Sequence, residues 1–359
     1  MRGPKGHVRV LDQRLPCKVS ESLEDSSQLP QPARKISCIP NHVAAGRDFL
    51  DDTSGTPRYT HTMLSILPQL LVNSLITGSI YALASAGLAL TYGLLRILNF
   101  AHGHIMMVGA YTFLLFYVQL ELPFLTAILC SALCMTVLGF VTLRIFVLPF
   151  MKASALLPFI TTIALGTMLE SVVSMVFGVN VRSFPSSVGS ESMEVYGVYI
   201  TPLQNFIIAS ALVILGCLGF IMHQTSLGRK LRAIAENRAA AESLGISANV
   251  LTYGVCILGT LLGAYAGILV GYETNIQPTM GSSYSIKAFA AMVLGGLGNI
   301  WGTIAGAFIL GLIENLSIGL DFWGYSLPAG YKDAFAFIVI LGVLLLRPHG
   351  LFGTRARVA

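Results

Sequence analysis

Apolar residues gather in long runs that short polar loops separate, from residue 64 almost to the C-terminus. A helix that crosses a membrane needs ~20 mostly apolar residues, so these runs predict an all-α, polytopic membrane helix bundle of about eight to nine segments. Some runs are too short for a full crossing, which predicts short or broken helices. The apolar runs cover residues 64–92, 104–119, 122–143, 155–178, 202–222, 249–272, 286–297, 301–318 and 331–346.

Two of these runs are separated only by GGLGN, residues 295–299, which predicts a broken helix or a hairpin. Irregular backbone at membrane depth is tolerated where it is buried in protein or lines a water-filled path. Gly296 and Asn299 are therefore candidates for a translocation pathway. The string LNFAHGH, at the start of another run, adds Asn99, His102 and Gly103 for the same reason.

The composition excludes a soluble globular protein, since 54% of the 359 residues are hydrophobic and 11% are charged, against a usual ~25% charged. Residues 1–62 are polar and contain no apolar stretch of a signal peptide, so we expect a disordered N-terminal extension. Met63 directly precedes the first apolar run, so translation could also start there. Residues 63–353 form the transmembrane domain, with a polar loop at 223–248, and residues 354–359 form a basic tail.

Basic residues distinguish the two sides of the predicted bundle. Because cytoplasmic loops carry an excess of Lys and Arg, the more basic side is predicted to be cytoplasmic, which places loop 223–248 and the C-terminus there. If every run crosses, that side carries Arg96, Arg144, Lys152, Arg229, Lys230, Arg232, Arg238, Arg347, Arg355 and Arg357, and the other side carries Arg182, Lys287 and Lys332.

Glycines that recur every fourth residue predict smooth helix faces. In lipid, small residues let helix backbones approach closely, so these strips are expected to serve helix packing. The two strips are Gly259, Gly263, Gly267 and Gly271, and Gly298, Gly302 and Gly306.

Ionisable residues inside apolar runs are candidate functional groups. A charged side chain at the bilayer centre costs roughly 2.5–3.5 kcal/mol on insertion scales, so Glu170 and Glu314 should face the bundle interior and have partners. They either belong to the translocation pathway or fix the packing of neighbouring helices. His102 and His104 are two residues apart and do not share a helix face, so we expect no metal site.

Known catalytic and nucleotide-binding motifs are missing from the sequence. It contains no G-x-x-x-x-G-K-[ST], H-E-x-x-H or G-x-S-x-G, so we expect no catalytic site and no ATP site of its own. No feature points to nucleic acid.

The stretch GRKLRAIAENRAAAESLGI, residues 228–246, predicts a short amphipathic helix in the cytoplasm. Arg229, Arg232 and Glu236 form one charged face, and Gly245 is a natural C-terminal stop. Such a helix docks into a groove of a soluble protein or lies on anionic lipid, and its low apolar bulk favours the protein partner.

Four ordered motifs make the chain from about residue 66 to 353 resemble the permease subunits of branched-chain amino acid ABC importers, and among them the smaller of the two paired permeases. The motifs are GSIYALASAGLALTYGLLRILNFAHGHIMMVGAY (78–111), the 228–246 stretch, MVLGGLGNIWGTIAGA (292–307) and LRPHGLFG (346–353).

The resemblance implies a subunit of the cell (inner) membrane that alternates between outward-open and inward-open states. Its implied partners are a second homologous permease, two cytoplasmic ATP-binding subunits and an extracytoplasmic solute-binding protein, and ATP is used by the partners while this chain binds no cofactor.

The family's cytoplasmic docking pattern, E-A-A-x-x-x-G, reads AAAESLG here. Its leading Glu is replaced by Ala239, and Glu236, one turn earlier, is the candidate for the acidic contact. The residues implied in coupling to the ATPase are Gly228, Arg229, Arg232, Glu236, Ala239, Ala240, Ala241 and Gly245.

Other functions stay open on the sequence alone. Related permeases serve urea or short-chain amides. A stand-alone channel or ion-coupled transporter would use Glu170 or Glu314 as its charged site. An intramembrane enzyme has only His102 and His104 in its favour.

Overall fold

The computed structural model describes residues 59–151, 154, 156–185, 192–195, 197–319, 331–347 and 349–353. Residues 1–58 of the predicted extension 1–62, Lys152 and the basic tail 354–359 lie outside these residues. Residues 59–62 were predicted to be disordered, but they form the start of a helix. The described chain is almost entirely helical. Its elements are α1 (Tyr59–Leu95), α2 (His102–Leu114), α3 (Phe124–Val141), α4 (Leu148–Met151), α5 (Leu156–Phe177), β1 (Met193–Val195), β2 (Val198–Ile200), α6 (Pro202–Gln224), α7 (Ser226–Glu236), α8 (Arg238–Ser243), α9 (Ala248–Glu273), α10 (Met280–Gly295), α11 (Ile300–Gly319) and α12 (Lys332–Leu346).

Each of the nine predicted apolar runs coincides with a helix, which confirms the all-α bundle. Among the described residues, six helical segments are long and apolar enough to cross a membrane: α1, α5, α6, α9, α11 and the segment Phe124–Met151, in which α3 continues through residues 142–147 into α4. The other three, α2, α10 and α12, have 13, 16 and 15 residues. At 1.5 Å per residue these are shorter than the ~30 Å hydrocarbon core, so the short helices of the prediction are also present.

Helix α9 forms the centre of the bundle, because 72% of the residues in its most apolar stretch are buried, against 22% in α3 and in α6. It packs against α1, α2 and α3, and α1 in turn packs against α11. The outer helices expose apolar side chains such as Leu133 and Val213, as expected of faces that meet lipid.

The segment around GGLGN is a hairpin rather than a single broken helix. A Cβ on Gly295 would meet the carbonyl of Gly302, and one on Gly306 would meet the carbonyl of Ala291, so α10 and α11 run antiparallel in close contact. Gly296 and Gly298, in the turn between them, have φ angles of 113° and 86°, which only glycine adopts readily.

Helices α2 and α10 both begin in the interior of the bundle. After α1 ends, residues 96–101 lead back along it, so that His102 bonds to the carbonyl of Ala84, about two-thirds of the way along α1. The start of α10 meets the start of α2 there, since Gly103 contacts Gly281 and Ser285. Both helices therefore point their N-termini at the same interior region.

One end of the bundle, called the basic end below, carries α7, α8, the turn of the α10–α11 hairpin and the C-terminal residues. Lys287 was predicted to lie at the side opposite the cytoplasm, but it lies inside α10 and is buried. The reason is that α10 begins at Met280, six residues before the predicted apolar run. The described basic residues of this end are Arg96, Arg144, Arg229, Lys230, Arg232, Arg238 and Arg347.

Candidate functional site

The crossing of α2 and α10 is too close for side chains. A Cβ on Gly103 would overlap the carbonyl oxygen of Gly281. The Gly103 N–H donates to Ser285 Oγ at 3.0 Å, and the Ser285 hydroxyl donates to the carbonyl of Phe100 at 2.9 Å. Gly103, which the sequence predicted to lie on the translocation pathway, is therefore the residue at which the first turns of α2 and α10 are in direct contact.

The two histidines of LNFAHGH are not brought together. His102 is 2% exposed, and its Nε2 lies 2.9 Å from the Ala84 carbonyl. A Cβ on Gly87 or Gly263 would come within 2.9 Å of the His102 ring, so this ring fills the space that glycines of α1 and α9 leave. His102 joins α2 to the bundle core, and its contact with solute stays a prediction.

His104 instead belongs to a polar cluster with Glu170 of α5 and Ser282 of α10. Its Nε2 lies 3.3 Å from Glu170 Oε2 and 3.3 Å from Ser282 Oγ. Because His104 is in the first turn of α2, the Glu170 carboxylate faces the positive end of that helix. The Glu170 side chain is 28% exposed, so this polar cluster is partly accessible at the surface of α5, a predicted membrane span.

Glu314 has the partner that its buried position requires. Its carboxylate lies 3.4 Å from Lys287 Nζ and accepts a hydrogen bond from the Tyr81 hydroxyl at 2.8 Å. Lys287 also donates to Tyr81 at 2.9 Å and pairs with Asp333 at 2.9 Å. This cluster joins α1, α10, α11 and α12 inside the bundle. Sequence reasoning missed Lys287 as a partner of Glu314, although a lysine inside the predicted apolar run 286–297, one helix before Glu314, was a usable signal.

Asn99 lies three residues before α2, and Asn299 directly precedes α11. The Asn99 side-chain oxygen accepts from the N–H of Ala101, just before α2, and that of Asn299 accepts from the N–H of Gly302, in the first turn of α11. Asn299 also donates from Nδ2 to the carbonyl of Phe352. Both asparagines thus satisfy backbone groups close to helix starts, and their contact with solute stays a prediction.

Two motifs that are far apart in the sequence form one structure at the basic end. The N–H groups of Leu351 and Phe352 donate to the carbonyls of Leu294 and Gly295. A Cβ on Gly296 would lie 2.7 Å from the nitrogen of Gly353. Residues 351–353 of LRPHGLFG therefore cover the turn of the α10–α11 hairpin, where Gly296 and Gly353 come too close for a side chain on either.

The stretch 228–246 forms two helices, and the prediction of a single helix was wrong. Asn237 has an extended backbone, with φ −149° and ψ 105°, and separates α7 from α8. Its side chain accepts from the N–H of Ala240 and caps α8, a role for which Asn is among the preferred residues. Gly245 ends the pair with φ 80°, as the sequence predicted.

Side chains of α7 and α8 divide into a packed set and an exposed set. Ile234, Ala241 and Ala248 form a buried cluster that ties α7, α8 and the start of α9 together. A Cβ on Gly228 would overlap the Met222 carbonyl, so α7 lies against the end of α6. The exposed set contains Arg229, Glu236, Ala239, Ala240 and Leu244, the last of which is 80% exposed.

The glycine strip of α9 contacts α1 and α2. A Cβ on Gly259 would lie 2.8 Å from the Gly87 carbonyl, and one on Gly267 would overlap the Met106 carbonyl; Gly271 faces Phe184. Gly298 differs from the prediction, because it precedes α11 and a Cβ there would meet no atom within 4 Å, so it serves the turn.

A family model described as the branched-chain amino acid transport system permease component matches residues 70–344. The permease protein BraD of the high-affinity branched-chain amino acid transport system of Pseudomonas aeruginosa is 32% identical over 300 residues, which cover 79% of this chain and 95% of BraD. LivH of Escherichia coli, described in the same words, is 30% identical over 298 residues, 79% of this chain and 95% of LivH. A solved complex, PsaBC from Streptococcus pneumoniae with a Fab, is similar with 14% identity and a TM-score of 0.47 over 81% of this chain and 97% of the other, too slight a likeness to carry an argument.

Proposed function

The chain belongs to the family of branched-chain amino acid transport permeases, and from this premise we propose that it imports branched-chain or related small amino acids as the permease subunit of an ATP-driven importer in the cell (inner) membrane. The observation that carries the proposal is the extent of the family match, which runs from the first apolar helix to the end of the last. Transport proceeds by alternating access, and this chain is the translocation subunit rather than an enzyme.

Energy enters through the pair α7–α8. The sequence contains no phosphate-binding loop, so ATP is hydrolysed by two separate cytoplasmic subunits. Their docking surface is the exposed set of α7 and α8, centred on Ala239, Ala240 and Leu244, with Glu236 as the acidic contact. Because Ile234 and Ala241 pack on Ala248, a displacement of the pair passes directly into α9, the most buried helix.

A second homologous permease completes the path. The Glu170 side chain is 28% exposed within α5, and a carboxylate facing lipid is unfavourable. This part of the surface is therefore covered by another chain or by water, as at an interface between two permeases that encloses a pathway. An extracytoplasmic solute-binding protein delivers the amino acid to the opposite end.

The proposal is tested by deleting the gene in its own host and measuring uptake of labelled leucine at low concentration. Uptake that depends on the binding protein should be lost, and a plasmid copy should restore it. Competition with unlabelled valine, urea and acetamide in the restored strain separates amino acid import from amide import. Unchanged leucine uptake in a host without a duplicate system would contradict the proposal.

A stand-alone channel or ion-coupled transporter gains no support from the described residues. The Glu314 carboxylate already contacts Lys287 and Tyr81, and the Glu170 carboxylate contacts His104, so neither is a free charge for binding an ion. That function would show itself as solute movement through the purified chain alone, in liposomes without ATP.

A further inference from the structure

A cavity of about 360 Å³ lies at the basic end, beneath α7. Its volume is in the range of small-molecule sites, ~300–1,000 Å³. Helices α1, α6, α7, α9 and the start of α11 line it. None of the residues clustered around Glu170 or Glu314 lines it, whereas Arg232 and Asn299, named above for coupling and for the pathway, do.

The lining of the cavity divides into an apolar part and a polar rim. Leu90 and Val255 belong to the apolar part. Each lies five to seven residues from the end of its helix, so at 1.5 Å per residue the cavity reaches roughly 8–10 Å into the bundle. Arg232, His223 and Trp301 form the rim at the helix ends, where a membrane protein meets the headgroup layer.

Arg232 is held at the rim with most of its donors unused. One guanidinium nitrogen donates to the Met222 carbonyl at 2.5 Å. Among the described residues no carboxylate pairs with Arg232, although Glu236 stands one turn further along α7. A guanidinium presents five N–H donors, in a geometry that suits phosphate oxygens.

Trp301 gives the rim the character of a membrane boundary. Its ring is 48% exposed, and its indole N–H donates to His223 Nε2, which orients both rings at the mouth of the cavity. Tryptophan is enriched where one end of a side chain is apolar and the other wet.

We propose that this cavity binds one anionic phospholipid of the cytoplasmic leaflet, with its phosphate at Arg232 and His223 and an acyl chain against Leu90 and Val255. Basic pockets between helices on the cytoplasmic side bind anionic headgroups. A free phosphate would use only the rim and leave the apolar part empty. The binding itself needs only that the chain spans a membrane with its basic end on the cytoplasmic side, so it does not depend on which solute is transported; the role in moving α7 rests on the proposed function.

The bound lipid acts as a support for α7. Leu231 and Ala235, on the inner side of α7, form the roof of the cavity. A lipid beneath them fills the space between the pair α7–α8 and the spans, so that a displacement of α7 reaches α1 and α6 through a packed contact instead of a void.

Native mass spectrometry of the full-length chain in a mild detergent tests this directly. Phosphatidylglycerol and phosphatidylcholine with the same acyl chains are titrated separately. One phosphatidylglycerol should bind at least about tenfold more tightly, because both headgroups carry a phosphate but the choline of phosphatidylcholine adds a positive charge that Arg232 repels. Arg232→Gln should therefore remove most of that difference. Lys230→Gln is the matched control, because it removes the same charge from an exposed position of α7 that does not line the cavity.

A second variant tests the apolar part without changing any charge. Ala235→Phe fills the cavity from its roof and should lower phosphatidylglycerol binding as strongly as Arg232→Gln; this variant decides the matter if Arg232→Gln fails to fold by size-exclusion chromatography. Equal affinity for the two lipids, or an equal loss with Lys230→Gln, would overturn the proposal. Inorganic phosphate that competes as well as the lipid would also overturn it, since the cavity would then be an anion site. So would labelled leucine that binds the natural chain but not Arg232→Gln, since the cavity would then be a solute site.

Discussion

Lys287 of α10 and Glu314 of α11 form an ion pair inside the bundle, with Nζ 3.4 Å from the carboxylate. The Glu314 side chain is 3% exposed and that of Lys287 is 10% exposed. Asp333 of α12 binds the same ammonium group at 2.9 Å. One lysine therefore neutralises carboxylates from two helices. Glu314 is nearly inaccessible to solvent, whereas the Asp333 side chain is 45% exposed, so Glu314 needs the positive charge more.

Lys287→Met should destabilise the protein far more than Glu314→Gln. The first variant leaves a buried carboxylate unpaired, which costs about 3–5 kcal/mol, whereas the second leaves Lys287 paired with Asp333. Thermal unfolding of the purified variants in one detergent measures the difference. Equal midpoints would show that the pair has no such asymmetry.

Gly103→Ala should prevent α2 and α10 from meeting. The added methyl group would overlap the Gly281 carbonyl and push the helices apart, so we expect a loss of folded protein and of uptake. Gly216→Ala in α6 is the control, since a Cβ there meets no atom within 4 Å, and alanine favours a helix over glycine by roughly 1 kcal/mol. Fluorescence-detected size exclusion reports the folded fraction; identical profiles for the two variants would contradict the close crossing.

Leu244→Asp should abolish docking of the ATP-binding subunits without unfolding the chain. The side chain is 80% exposed, so the substitution disturbs no packed contact in the isolated chain. Co-purification of the co-expressed subunits should fall at least about tenfold, as expected when a well-buried anchor of an interface is lost. Val179→Asp, 76% exposed at the opposite end, is the control. Undiminished co-purification with Leu244→Asp would move the docking surface away from α8.

Glu170 should be reached by water from the translocation pathway. In a cysteine-free background, Glu170→Cys is expected to react with a membrane-impermeant thiol reagent in proteoliposomes. Met175→Cys, on another face of α5 and 86% exposed in the isolated chain, is expected to contact lipid and react slowly, because the reactive thiolate does not form there. If both cysteines react at the same rate, exposure alone governs labelling and Glu170 has no special access to water.

Local features of the fold were predictable because they depend on near neighbours along the chain. The apolar runs, the hairpin at GGLGN and the helix stop at Gly245 all follow from hydrophobic periodicity and glycine conformation. The break at Asn237 was missed for a local reason too: its side chain caps α8, and Asn inside a continuous helical pattern competes for backbone hydrogen bonds.

Contacts across the bundle could not be predicted from one sequence. Glu314 was expected to have a partner, but Lys287 and Tyr81 reach it only because α1, α10 and α11 pack together. The sequence sets His104 beside His102, whereas its contacts are Glu170 and Ser282, which lie 66 and 178 residues away in the chain. Chain spacing gives no distance between such residues, so their pairing required the fold.

The central claim is that this chain moves amino acids only together with ATP-binding subunits. Its most direct test is uptake of labelled leucine into proteoliposomes that contain the chain, its paired permease and the ATP-binding subunits, with the solute-binding protein outside and ATP inside. We predict uptake that stops when ATP or the solute-binding protein is omitted, or when Leu244→Asp replaces the natural chain. Leucine entry that continues without ATP, at a rate unchanged by Leu244→Asp, would contradict the account.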